Sequence, residues 1–205
     1  MSRFIIGLAL LFTFLSIIST SYAEDKNNYL QLRIESGNGI FGTRALIENN
    51  SLEGWTLGGR IGTSGNNFYY FNPYALYQVG KFRIGSIYMH DSLGEESIGT
   101  VIRYADTFGE VSTSIEYSYN VDVHGDNNLH DLWLSVSQNK KAGWKIGAEA
   151  WYFHYAKGSE NLKIRPLKIS YVVPGGITPF IMFQRHWSDK KPKSDTVLCG
   201  IELKF

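Results

Sequence analysis

The feature that most constrains this chain is a strict alternation of residue types over long segments. From Val111 to Tyr119, Val, Thr, Ile or Tyr occupies every second position, and Ser or Glu stands between them. A period of two is that of a β-strand with one apolar and one polar face. The same pattern recurs from Tyr29 to the C-terminus, and the content of 13 Tyr, 12 Phe and 21 Gly with only 5 Pro also favours strands. The sequence therefore predicts an all-β protein.

Turn signals divide the chain into about twelve strands. The predicted strands are 27–36, 40–49, 53–62, 67–79, 81–90, 95–105, 109–120, 129–138, 143–155, 162–173, 176–187 and 193–205. Most have about 10 to 13 residues, which is long for a soluble sandwich and typical of a tilted membrane-spanning strand. A count of ten strands is the alternative. An even count places both ends of the chain on the same side of a barrel.

The connectors between predicted strands are of two kinds. Tight turns such as 79–80 and 106–108 alternate with longer polar segments such as 91–94 and 121–128. Outer-membrane barrels have short periplasmic turns and longer outer loops. The alternation therefore favours a transmembrane antiparallel β-barrel.

A soluble lipocalin-like barrel is the alternative to a barrel in a membrane. The apolar face of the predicted strands carries Leu, Ile, Val, Tyr and Trp, whereas the polar face carries small residues and Arg. Aromatic residues such as Trp55 and Trp144 lie at strand ends, as in the girdles of membrane barrels. The last alternating residues, Ile201, Leu203 and Phe205, resemble the outer-membrane assembly signal. We therefore predict a multi-pass barrel in the outer membrane of a Gram-negative bacterium, in contact with lipid and lipopolysaccharide.

The N-terminal residues have the pattern of a secretory signal peptide. Arg3 precedes the largely apolar run 4–18, and Ser21-Tyr22-Ala23 offers small residues for cleavage. An uncleaved anchor is the alternative, but the run is short for a span of about 20 residues. We expect residues 1–23 to be removed and residues 24–205 to form the barrel.

The overall charge excludes one class of partner. The chain has 20 Lys and Arg against 19 Asp and Glu, and Arg3 is the only charged residue before Glu24. The segment from Glu24 onward therefore balances to zero, which argues against a nucleic-acid partner. The single cysteine excludes an internal disulfide, and no cofactor is implied.

Strand parity places a set of cations on the face that would line the barrel. If the apolar face meets lipid, the inward cations are Arg33, Arg44, Arg60, Arg83, Arg103, Lys145 and Lys168. A β-bulge near Pro166 is needed to keep the apolar residues of the tenth strand on one face, and it turns Lys163 and Arg165 inward. The inward acids are Glu35, Glu48, Glu116, Asp131, Glu149 and Glu202.

Two interpretations of this inward face are open. An arginine track, with Arg33 and Arg60 nearer the outside and Arg83 and Arg103 nearer the periplasm, would pass anionic solutes from site to site. Alternatively, the inward arginines and glutamates pair with each other and fill the barrel. Small inward residues such as Gly58 favour a narrow open pore.

The pattern resembles the oligogalacturonate-specific family of small monomeric porins. The local matches are 177–181 (Ile-Thr-Pro-Phe-Ile), and Tyr29–Ile34 followed by Gly42-Thr43-Arg44. The resemblance implies a monomeric twelve-stranded barrel that passes acidic oligosaccharides by diffusion.

An enzymatic hypothesis rests on His186 and Ser188. This His-x-Ser element is similar to that of the outer-membrane lipid A deacylases, in which His activates Ser for attack on an ester. In those enzymes the third catalytic residue is a glutamate on the next strand, and Glu202 is the candidate for that residue here. A non-conducting structural barrel is a third possibility.

Overall fold

The structure is a computed structural model that describes residues 28–37, 40–64, 68–125, 127–140, 143–189 and 191–204. The predicted signal peptide and Phe205 lie outside these residues. The strands are β1 (Asn28–Gly37), β2 (Ile40–Asn49), β3 (Trp55–Ser64), β4 (Phe68–Val79), β5 (Phe82–Asp91), β6 (Glu96–Phe108), β7 (Val111–Asp122), β8 (Leu129–Asn139), β9 (Trp144–Tyr155), β10 (Glu160–Tyr171), β11 (Ile177–Ser188) and β12 (Lys191–Lys204). Across the described ranges, no helix is long and apolar enough to cross a membrane.

The twelve strands form one closed barrel. Each strand pairs in antiparallel fashion with the next, and β12 pairs with β1 through partners such as Arg33 and Glu202. Closure leaves no unpaired sheet edge, which is what a barrel in lipid requires. The predicted fold class and the count of twelve strands are confirmed.

The predicted bulge on β10 is also confirmed. The register of β10 shifts between Ile164 and Leu167 against β11, and between Arg165 and Lys168 against β9. Pro166 has no N–H to donate to a ladder, so a bulge is where a strand tolerates it. The shift brings Arg165 to the inner face, where it contacts Glu35 and Glu149.

We call the barrel end with the β4–β5 and β6–β7 turns the turn end, and the end with the 123–128 connector the loop end. Connectors have two to five residues at the turn end and two to six at the loop end. The predicted contrast in connector length is therefore largely absent. The reason is that strands extend into segments predicted as loops: β7 includes residues 121–122, and β10 begins at Glu160.

The outer surface of the barrel carries an apolar band. Exposed outer residues include Ile61, Phe71, Ile84, Ile98, Ile102, Ile115, Leu134, Ile146, Ile181, Val197 and Ile201. On β6 the band lies between Glu96 and Asp106. Ten residues at about 3.4 Å each, tilted by about 40°, span about 26 Å along the barrel axis. That height is close to the apolar band of about 25 Å in outer-membrane barrels.

Aromatic rings mark the turn end of the band. Trp55 packs on Tyr77 with ring centroids 5.2 Å apart, and Trp144 packs on Tyr171 at the same distance. In the β4–β5 turn, Lys81 Nζ donates to Asp106 Oδ2 at 2.5 Å, and this hydrogen bond raises the pKa of Lys81. Paired rings followed by charges are typical of a membrane–water interface.

Candidate functional site

Two cavities lie inside the barrel between residues that the structure describes. One, of about 430 Å³, lies towards the turn end and is lined by residues such as Lys145 and Lys204. The other, of about 470 Å³, lies towards the loop end and is lined by residues such as Asp91 and Asn161. Arg33, Arg44, Arg60 and Trp151 line both, so the boundary between the cavities is at mid-height. Both volumes are in the range of small-molecule sites.

Most of the cations predicted from parity lie on these cavity walls. The turn-end cavity is lined by Arg33, Arg44, Arg60, Arg103, Lys145 and Lys168, and the loop-end cavity adds Lys163 and Arg165. Arg83 lines neither; its Nε donates to Gln78 Oε1 at 3.1 Å near the turn end. Whether these side chains bind a solute stays a prediction.

One group of charges, which we call the Glu116 cluster, lies on the wall formed by β2, β3, β4, β6 and β7. Arg60 donates to both oxygens of Glu116, at 2.6 and 2.5 Å, and Arg103 Nε donates to Glu116 Oε2 at 2.8 Å. Arg103 also donates to Glu48 Oε1 at 2.6 Å, and the Tyr74 hydroxyl donates to the same oxygen at 2.5 Å. Two cations and two carboxylates make this cluster neutral.

Arg60 and Arg103 therefore do not form separate steps of a track. Arg60 was predicted nearer the outside and Arg103 nearer the periplasm, but both guanidinium groups meet the single carboxylate of Glu116. Bidentate pairing of this kind fixes both the position and the orientation of the cations.

A second group, the Glu149 cluster, lies on the wall formed by β1, β9, β10 and β12. Its members are Arg33, Glu35, Glu149, Arg165, Lys168 and Glu202. Glu149 lies 3.3 Å from Arg165, 3.6 Å from Arg33 and 3.9 Å from Lys168. Three cations and three carboxylates make this cluster neutral as well.

Each cluster is also held by aromatic rings. The guanidinium carbon of Arg103 lies 4.9 Å from the Tyr74 ring centre, and that of Arg33 lies 4.8 Å from the ring of Phe180. Arg165 lies 4.6 Å from the ring of Trp151. Such cation–π contacts stabilise a cation by about 0.5–2 kcal/mol. The cations of both clusters are thus fixed by a carboxylate and a ring together.

Some inward glycines leave room for these aromatic rings and therefore do not widen the pore. A Cβ atom at Gly58 would lie 2.8 Å from the Tyr74 ring, and one at Gly200 would lie 2.5 Å from the Phe180 ring. Gly58 pairs with Tyr74, and Gly200 with Phe180, across adjacent strands. The sequence prediction that small inward residues such as Gly58 keep space open is therefore wrong for these positions, because a neighbouring ring fills the space.

Arg44 and Lys145 differ from the clustered cations. Neither forms an ion pair or a side-chain hydrogen bond with any residue that the structure describes, although both line the turn-end cavity. That cavity is lined by seven cationic side chains and three carboxylates. Glu116 does not line the cavity, but it pairs with Arg60 and Arg103 and so balances one more positive charge. The turn-end cavity is therefore positively charged.

The loop-end cavity is closer to balance. It is lined by five cationic side chains and four carboxylates, and the carboxylates are Glu35, Asp91, Glu95 and Asp131. Glu35 belongs to the Glu149 cluster, and Asp91 Oδ1 accepts the backbone N–H groups of Leu93 and Glu95. The two halves of the lumen thus differ in net charge.

Sequence reasoning missed the apolar part of the lumen. Leu76, Ile87 and Val101 form a buried cluster on its inner wall with Tyr74, which strand parity does place inside, and Phe180, Met182 and Leu198 form another. Trp133 and Trp151 line the turn-end cavity. Strand parity could have found Trp151, because it shares a face with Lys145 and Glu149.

The geometry does not complete the esterase hypothesis. His186 and Ser188 lie two residues apart near the loop end of β11, where His186 pairs with Ser194. Glu202 pairs with Thr178, which lies eight residues from His186 along β11. Eight residues of strand span about 27 Å. Glu202 instead contacts Lys168 and Arg33 in the Glu149 cluster. It is therefore too far from His186 to orient that ring.

Comparison with known proteins gives a structural likeness. No family model matches the sequence, and no curated protein matches it significantly. Among solved structures, the KdgM porin matches 86% of this chain and 99% of its own at a TM-score of 0.59 and 15% sequence identity. The NanC porin matches 87% of this chain and 100% of its own at a TM-score of 0.59 and 14% identity.

The fold is therefore that of a small outer-membrane porin barrel. Nearly the whole length of both porins is covered, so the likeness extends to the complete barrel. At identities of 14 and 15%, it assigns the fold of the chain and leaves its activity to the residues of the lumen.

Proposed function

We propose that the protein is a diffusion channel of the outer membrane for small anionic solutes, including acidic oligosaccharides. The observation that carries this function is the excess of cations over carboxylates around the turn-end cavity of a closed barrel. One structure with the same fold is entitled KdgM porin in complex with disordered oligogalacturonate; it has a TM-score of 0.57 and 15% identity. The oligogalacturonate in that complex supports uronate-like sugars as the solute class.

The proposed location follows from the outer surface. An apolar band about 26 Å high between rows of charges suits an outer membrane with lipopolysaccharide in its outer leaflet. We propose that residues 1–23 are removed on export, that the loop end faces outward, and that the mature chain is a monomer, as in the family it resembles.

Selectivity for anions depends on the cations that carboxylates leave uncompensated. Arg44 is the foremost of these, because it lines both cavities at their boundary and has no ion pair with a described residue. A guanidinium group offers five N–H donors, and its planar fork matches a carboxylate. Lys145 lines only the turn-end cavity and is a second point of positive charge for a solute passing towards the periplasm.

Planar-bilayer recording of the mature protein tests the channel function. We expect stable conductance steps, and in a gradient of KCl at low ionic strength a reversal potential that shows chloride preference, since salt screens fixed charges. Absence of steps, or a preference for potassium, contradicts the proposal. Lys81→Ser is the control for loss of a positive charge elsewhere, because Lys81 is an exposed cation outside the cavities. This variant should leave the reversal potential unchanged.

A channel is favoured over a lipid esterase because Glu202 lies far from His186. Incubation of lipid A with the protein is therefore expected to leave every acyl chain in place. Release of a fatty acid that His186→Ala abolishes would restore the esterase hypothesis. A non-conducting structural barrel predicts neither conductance steps nor fatty-acid release.

A further inference from the structure

Asp131 on β8 is an inward carboxylate outside both clusters. Its Oδ1 atom is buried and accepts no hydrogen bond, and the side chain forms no ion pair with any part of the chain that the structure describes. In contrast, Glu48, Glu149 and Glu202 each contact an Arg or a Lys. A buried carboxylate oxygen without a donor costs free energy. A ligand that brings a donor to this oxygen relieves part of that cost.

A second acceptor without a donor lines the same cavity. Asn72 on β4 has a buried Oδ1 atom that accepts no hydrogen bond from the described residues. Asn72 and Asp131 both line the loop-end cavity. A primary ammonium group carries three N–H donors and no acceptor, so it suits a wall of acceptor oxygens that includes one negative charge.

The same cavity also offers a cation without a carboxylate. Arg44 lines it at the boundary with the turn-end cavity and has no ion pair with a described residue. The loop-end cavity thus presents to a solute one carboxylate and one guanidinium group that form no close ion pair with a described residue. Tyr70, Phe153 and Tyr155 supply aromatic surface between polar groups, as sugar-sized ligands require.

We propose that the loop-end cavity binds amphoteric sugar acids, that is, sugars with a free primary amine as well as a carboxylate. The ammonium group binds Asp131, and the carboxylate binds Arg44. This inference rests on the proposed channel function, since it names the solute class of the same lumen. It differs from a track of cations in requiring a negative residue.

Current block in planar bilayers tests the site with two matched solutes, muramic acid and N-acetylmuramic acid. Acetylation removes the ammonium charge and leaves the carboxylate. We expect the native protein to bind muramic acid about tenfold more tightly, as loss of one charge-assisted hydrogen bond implies. Asp131→Asn is expected to bring this ratio to about one. Arg44→Ser should weaken both solutes by a similar factor.

The control variant is Asp195→Asn, which removes a carboxylate that pairs with Arg185 on the outer surface. It should keep the tenfold ratio. A native ratio near one, or a ratio that Asp131→Asn leaves unchanged, overturns the amphoteric site.

A tryptophan-fluorescence titration separates this site from the channel function, because Trp151 lines both cavities and reports binding without conduction. A tenfold ratio in fluorescence without any conductance supports the site and rejects the channel. Anion-selective conductance with equal binding of both solutes supports the channel and rejects the site.

Discussion

The Glu116 and Glu149 clusters have the same charge balance but different geometry. In the Glu116 cluster one carboxylate holds two guanidinium groups through contacts of 2.5 to 2.8 Å. In the Glu149 cluster the central carboxylate lies 3.3 to 3.9 Å from three cations, which it shares with Glu35 and Glu202. In the Glu116 cluster both arginines depend on one carboxylate, and Glu48 contacts only Arg103; in the Glu149 cluster three carboxylates share the three cations.

This comparison indicates which residues give the lumen its selectivity for anions. Because both clusters are neutral, their ten charged side chains contribute fixed structure and little net charge. The net charge comes from cations such as Arg44 and Lys145, which belong to neither cluster. Stability and selectivity are therefore expected to depend on different residues.

The largest effect is expected from Glu116→Gln. The substitution leaves two guanidinium groups facing each other without their shared carboxylate, and breaking a buried ion pair costs about 3 kcal/mol. Urea titration in phospholipid vesicles, followed by tryptophan fluorescence, measures the loss in free energy of unfolding. Glu110→Gln, in the exposed β6–β7 turn, is the control and should leave the unfolding curve unchanged.

A smaller effect is expected from Glu149→Gln. Glu35 and Glu202 remain to compensate the three cations, so the expected loss is about 1–2 kcal/mol in the same titration. A loss equal to or greater than that of Glu116→Gln would contradict the distinction between a concentrated and a distributed cluster.

Arg44→Ser tests the separation of selectivity from stability. We expect the permeability ratio of chloride over potassium to fall about threefold, equivalent to about 0.6 kcal/mol, because an uncompensated charge leaves the lumen boundary. The free energy of unfolding should be unchanged, as no ion pair with a described residue is lost. Equal stability loss in Arg44→Ser and Arg60→Ser would show that Arg44 belongs to a cluster after all.

The smallest effect is expected from Asp131→Asn on ion selectivity. Loss of one negative charge in the loop-end cavity should raise the chloride preference by less than about twofold, since salt screens charges in a water-filled cavity. Reversal potentials in the same KCl gradient measure the change. A fall in chloride preference would mean that Asp131 acts through the arginines and not directly on the permeating ion.

The sequence predicts the faces of this barrel better than the contacts across it. Strand parity and the Pro166 bulge are local properties, and both agree with the structure. The pairing of Arg60 with Glu116 joins residues 56 positions apart across a closed lumen. Which inward residues meet there depends on the stagger of twelve strands, which parity does not encode.

The sequence also did not predict the lengths of the connectors or the apolar part of the lumen wall. Leu76 and Val101 lie on the inner face next to the outward residues Tyr77 and Ile102, so both faces of the strand are apolar there and the alternation gives no signal. Val121 and Asp122 extend β7, because ladder pairing with Ile98 and Ser97 outweighs the turn preference of Asp122.

The pairing of Gly62 with Tyr70 makes the bore of the channel adjustable without a change in charge. A Cβ atom at Gly62 would lie 2.5 Å from the Tyr70 ring, and that ring lines the loop-end cavity. An alanine there would displace the ring towards the barrel axis and narrow the passage, while every cation and carboxylate keeps its place. Size exclusion and charge preference could thus diverge independently among relatives of this chain.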